Sequence, residues 1–67
     1  MQVEPFKQEL VDALGLIQQR RSSEIHLGRI LELAEWCFEE GDLLYCLVFL
    51  KIARFAQRTQ LQKAARI

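Results

Sequence analysis

No glycine-rich loop occurs in this sequence. Its three glycines, Gly15, Gly28 and Gly41, are scattered, which leaves no backbone cradle for a phosphate. The two cysteines, Cys37 and Cys46, are too few for a disulfide framework. No apolar signal core heads the chain, so reduced thiols and a cytoplasmic location are expected. Both cysteines then read as small apolar residues. Only eight consecutive residues, 43–50, are apolar and uncharged, against about 18 or more for a membrane span.

The single histidine, His26, restricts the chemistry further. Read as part of the second helix, it lies on that helix's apolar face as a hydrogen-bonded packing residue. It stands eleven residues before Cys37, a helical separation of about 16 Å, too far for a nucleophile and its base. With Cys37 and Cys46 it offers three zinc ligands at most, without finger-like spacing. Glu39, Glu40 and Asp42 lack the spacing of a calcium loop and read as a solvated helix end. No catalytic residue, metal ligand or cofactor site is expected.

Acid is missing from the last third. Residues 1–42 hold all nine acids and four bases, for a net charge of −5. Residues 43–67 hold five bases and no acid, for +5, and the whole chain is neutral. This asymmetry points to an oriented contact.

What the chain has in abundance is apolar surface. Residues 43–56 read LLYCLVFLKIARFA, where Lys51 and Arg54 are the only charges. A chain of 67 residues hides only about 60% of the surface its unfolded form exposes. It carries 26 large apolar side chains, more than three short helices can cover. Oligomerisation or a standing partner is the expected remedy.

The spacing predicts an all-α, three-helix domain: an antiparallel hairpin plus an N-terminal helix, completed by a second copy or a partner. The first helix is predicted at about 5–20, opening on Pro5. Phe6, Leu10, Ala13, Leu14 and Ile17 form its apolar face, with Gly15 inside it. Arg20, Arg21, Ser22 and Ser23 break the pattern, and either serine suits the next N-cap. The second helix is predicted at about 24–40. Leu27, Ile30, Leu31, Leu33, Ala34, Cys37 and Phe38 share its buried face, and Glu32, Glu35 and Glu39 form the opposite stripe. Ile25 and Trp36 fall on the polar side, either to receive the first helix or to meet a partner.

Gly41-Asp42 supplies a left-handed stop and an N-cap. The third helix follows at about 43–63, with residues 59–67 expected to fray. Its solvent line starts apolar at Leu43 and Leu47 and turns basic at Lys51, Arg54 and Arg58. Such a line is either a protein-binding surface or the seat of the first helix. The acidic stripe is expected to face the basic one across the hairpin.

Residues 30–58 resemble one tetratricopeptide-type repeat. The spacing is carried by Ile30, Leu33, Ala34, Cys37, Cys46, Leu50 and Arg58, with Gly41-Asp42 at the turn and Ala53 at the close approach. Cys37 stands where the family has an aromatic, Cys46 where it has Ala, and Arg58 where it has Pro. The match spans 29 of 67 residues. The resemblance implies protein or peptide binding in a helical groove, without catalysis.

The function expected is a non-enzymatic interaction module, such as an adaptor, small chaperone or regulatory subunit. Its partner is a protein or a second copy. Its contact residues are Leu43, Leu47, Lys51, Arg54, Arg58, Trp36 and Ile25. The alternative is a small nucleic-acid-binding regulator that uses the basic row Lys51, Arg54, Arg58, Lys63 and Arg66.

Overall fold

The computed structural model describes residues 4–65, with the side chains of residues 6–65. Arg66, the last base of the predicted row, lies outside them. Three α-helices and one short 3₁₀ turn make up the fold: α1 (Glu4–Gln18), the turn Ser22–Glu24, α2 (Leu27–Glu39) and α3 (Leu43–Ala65). The described residues contain no strand.

The hairpin forms where its turn residues require it. At Gly41 φ is +84°, a left-handed value that suits a residue without Cβ. The Asp42 N–H donates to the Cys37 carbonyl at 2.8 Å and the Gly41 N–H to the Phe38 carbonyl at 3.1 Å. These two bonds close α2 in a Schellman motif. One residue later the Asp42 carboxylate accepts from the Tyr45 N–H at 3.3 Å, which starts α3. The helices therefore fold straight back on each other.

Small residues let them approach closely. Ala34 and Cys37 from α2, with Cys46, Ala53 and Ala56 from α3, are all buried. Leu33 and Phe49 are the largest side chains fully enclosed. Cys37 and Cys46 are both buried free thiols. Burial pushes the Cys37 thiol up from its ordinary range, with smaller contributions from Asp42 and Cys46.

The first connection departs from expectation. The second helix does not begin at Ser22 or Ser23. Ser22 turns inward, where its hydroxyl donates to Thr59 Oγ1 at 3.1 Å, and Thr59 in turn donates to the Phe55 carbonyl. Gln60 Nε2 donates to the Ile25 carbonyl at 3.1 Å and meets the Ser23 carbonyl at 3.5 Å. These bonds satisfy the polar groups of a 3₁₀ turn packed on α3. Ile25 then leaves the turn with extended backbone, φ −68° and ψ 131°. His26 is the cap of α2: its Nδ1 accepts from the Arg29 N–H at 3.1 Å. It is exposed at a helix end and is not a packing residue on an apolar face. Thr59 and Gln60, placed in a fraying tail from the sequence, hold this docking, and α3 runs on to Ala65.

α1 ends in the same motif as α2 but with a side chain in the left-handed seat. Arg20 has φ +59°. Its N–H donates to the Ile17 carbonyl at 3.0 Å, and the Arg21 N–H donates to the Leu16 carbonyl at 2.7 Å. α1 rests on the 3₁₀ turn and α3, and two side-chain contacts tie it to one flank of α2. The Phe6 and Trp36 rings lie 4.4 Å apart at centroid, tilted by 37°. Arg29 holds Glu9 with Nε to Oε1 at 2.8 Å and Nη2 to Oε2 at 2.9 Å. That fork holds the Glu9 carboxyl below its ordinary range.

A Cβ added at Gly15 meets nothing within 4 Å, so no close approach requires the glycine. Gly15→Ala should therefore stabilise the fold by up to about 1 kcal/mol through helix propensity. The measurement is the urea midpoint. A lowered midpoint would show that α1 bends or packs at this residue in a way the structure does not show.

Candidate protein-binding surface

α2 has two flanks, and α1 takes one. Arg29 and Trp36, which hold α1, are seven residues apart and share a stripe of α2. Leu31 and Phe38 each stand two residues further on, about 200° round the helix. They fall on the other flank, where none of the described elements lies over them. Leu31 is 45% exposed and Phe38 63%. Both were assigned to the buried face from the sequence. The apolar arc of α2 is wider than α3 alone can cover, and α1 covers only the far side. Leu14, assigned to the apolar face of α1, is also exposed.

α3 continues this bare flank. Leu27 and Leu31 of α2 line a groove with Leu50, Ala53, Arg54 and Gln57 of α3. Along α3 the exposed positions 43, 47, 50, 54, 57 and 61 alternate steps of four and three, the spacing of a helix seam that meets another helix. Leu43, Leu47, Leu50 and Leu61 occupy four of them, and Arg54 and Gln57 break the apolar run. Leu43 is 57% exposed and Leu47 55%. The first helix therefore does not lie over them.

The other sequence-derived contact residues separate. Lys51, Arg54 and Arg58 are exposed on the outer side of α3, where they surround the half-exposed ring of Phe55. Trp36 is half-buried under Phe6, with one edge in a shallow groove lined by Glu32, Glu35 and Glu39. Ile25 leaves the surface altogether. It is only 5% exposed and belongs to the core. The helical projection that put it on the polar side fails because Ile25 is not in a helix.

The charge stripes also lie differently from expectation. Glu32, Glu35 and Glu39 face away from the α2 core residues Ile30, Leu33 and Cys37. Lys51, Arg54 and Arg58 face away from the α3 core residues Phe49, Ile52 and Ala56. The stripes run along opposite outer edges of the hairpin and do not meet among the described residues. Among the described residues the ion pairs are Arg21–Glu24, Arg29–Glu9 and Arg29–Glu32, and none involves α3. On the hairpin, Leu31, Phe38, Leu44, Leu50, Phe55 and Leu61 are surface residues that sequence reasoning missed. The four-three spacing along α3 was the signal available for Leu50 and Leu61.

Cys37 is fully enclosed, and the His26 Nδ1 is engaged as a cap. No group of three or more His, Cys, Asp and Glu side chains is gathered as a metal site among the described residues. Among them, too, no helix is long and apolar enough to cross a membrane. Compared with protein-family models, curated proteins and solved structures, the chain matches none.

An exposed leucine and an enclosed phenylalanine two residues away make a paired test. Leu47→Asp should leave helical circular dichroism intact and, in protein dilute enough not to self-associate, change stability by about 0.5 kcal/mol or less. Phe49→Ala should cost about 3–5 kcal/mol. Loss of helicity in Leu47→Asp would put Leu47 in the core.

Proposed function

We propose that this chain is a non-enzymatic protein–protein interaction module of the adaptor, small-chaperone or regulatory-subunit kind. It binds through the face of α3 that begins apolar at Leu43 and Leu47 and turns basic at Lys51, Arg54 and Arg58. One observation carries the reading: Leu43 and Leu47 remain more than half exposed with α1 already folded against the hairpin. Contiguous exposed apolar surface of this kind, rimmed by one sign of charge, marks contact sites. The tetratricopeptide-like spacing agrees with the same class. The two buried free thiols agree with a reducing compartment, and the proposal includes a cytoplasmic location.

The test is a photo-crosslinking residue placed at Leu47 and, as control, at the exposed Gln18 of α1. In cells the Leu47 position should give protein adducts, a second copy of the chain included, that the Gln18 position does not. Equal or absent adducts at the two positions would remove the interaction reading.

A second reading has its own observation. Lys51, Arg54 and Arg58 surround an exposed aromatic ring, Phe55, and no acid lies on α3. Bases around a stacking ring are the elements of a single-strand or duplex contact. Binding to random duplex DNA that falls steeply with salt, and is lost in Arg54→Ala/Arg58→Ala, would support it. An absence of binding at low salt removes it.

A further inference from the structure

The bare flank of the hairpin calls for an occupant. We infer that it is a second copy of this chain, laid hairpin on hairpin with both turns at the same end, so that α2 of each copy rests on α3 of the other. This inference rests on the protein-binding reading above and names the partner.

Two features of the surface select that partner. The first is apolar continuity across both helices. Leu31 and Phe38 on α2 and Leu43, Leu47 and Leu50 on α3 border the same flank. A single guest helix laid in the groove beside Leu31 and Leu50 would leave Leu47, about 60° further round α3, in water. A second layer of two helices is wide enough to cover both ridges, as in a four-helix bundle.

The second feature is charge. Each hairpin carries an acidic outer edge, Glu32, Glu35 and Glu39, and a basic outer edge, Lys51, Arg54 and Arg58. None of the ion pairs among the described residues joins them. A two-fold axis along the hairpin sets the acidic edge of each copy beside the basic edge of the other. A two-fold axis across the hairpin would set acid on acid and base on base. Pairing through α3 alone would put the basic rows together. A purely acidic partner would suit α3 but repel the edge of α2. The neutral chain with opposed halves, −5 and +5, is complementary to itself.

The register agrees. Glu32 stands nine residues before Gly41, and Lys51 stands nine residues after Asp42. Both therefore lie about 14 Å from the turn at a rise of 1.5 Å per residue. With the turns together, Glu32 of one copy is level with Lys51 of the other, and Glu35 is one turn away. Arg54 lines the groove, where its aliphatic stem can rest on leucine while the guanidinium reaches the acidic edge.

The experiment is sedimentation equilibrium of the full chain over a concentration series, with circular dichroism to confirm that each variant stays helical. The wild type is expected at twice the 7.9 kDa chain mass. Glu32→Lys/Glu35→Lys reverses the acidic edge, and Lys51→Glu/Arg54→Glu reverses the basic edge. Each pair alone should weaken self-association by about tenfold or more. An equimolar mixture of the two variants, and a chain carrying all four changes, should both recover it. A wild type that stays at 7.9 kDa at every concentration overturns the inference. So do charge reversals that have no effect alone, because an arrangement with like edges together would not sense them. A monomer whose Leu47 position still crosslinks other proteins would refute the second copy and leave the interaction reading standing. A dimer that withstands Leu47→Asp and both charge reversals would refute this face as its interface.

Discussion

The Gly41–Asp42 turn holds α2 and α3 side by side, and a pair of helices so joined has two flanks to cover. α1 is 15 residues long and can lie along one. It chooses the flank of Arg29 and Trp36, where a forked ion pair and a ring contact reward it. The other flank, from Leu31 and Phe38 across to Leu43 and Leu50, keeps its apolar surface in water. Everything distinctive about this molecule follows from that shortage of cover.

The interior is built for close approach more than for bulk. Ala34, Cys37, Cys46, Ala53 and Ala56 bring the helices together, and among the described residues the large buried side chains are Phe49, Leu33, Ile25, Ile30 and Ile52. A core of small residues holds a tight hairpin but hides few large side chains. The leucines and phenylalanines that do not fit inside appear on the outside. Among the described residues ten large apolar side chains are exposed, and six of them lie along one flank or the seam that borders it. The clustering is what separates this surface from the scattered apolar residues of an ordinary monomer. Charge adds direction: the two edges of the hairpin carry opposite signs and, pointing apart, are available to another chain.

The helices and the tight turn were legible in the sequence because each rests on local chemistry. Gly41 offers the left-handed seat, Asp42 the capping carboxylate, and polar residues recur at helical spacing after residue 43. Exposure of Leu43 and Leu47 was legible as one of two outcomes, since only the placement of α1 decides it. The residues read wrongly depend on longer-range events. Ile25 was projected as helical, but Ser22 turns inward to reach Thr59, 37 residues away, and the chain enters α2 only at Leu27. His26 then becomes the cap, a role that the spacing of apolar residues does not reveal. Leu31 and Phe38 sit at the edge of a wide apolar arc, and their burial depends on which flank α1 selects. The outward direction of the charge stripes was within reach, because each lies opposite its own helix's core positions.

The most direct test of the account is methyl NMR of the chain with a soluble paramagnetic probe, repeated from dilute to concentrated protein. The leucine methyls of Leu31, Leu43, Leu47 and Leu50 should feel the probe strongly when dilute and lose that access as concentration rises, while Val11 and Leu14 on α1 stay accessible throughout. Methyls on the hairpin flank that are shielded even at high dilution, or that stay as accessible as Val11 at every concentration, would contradict it.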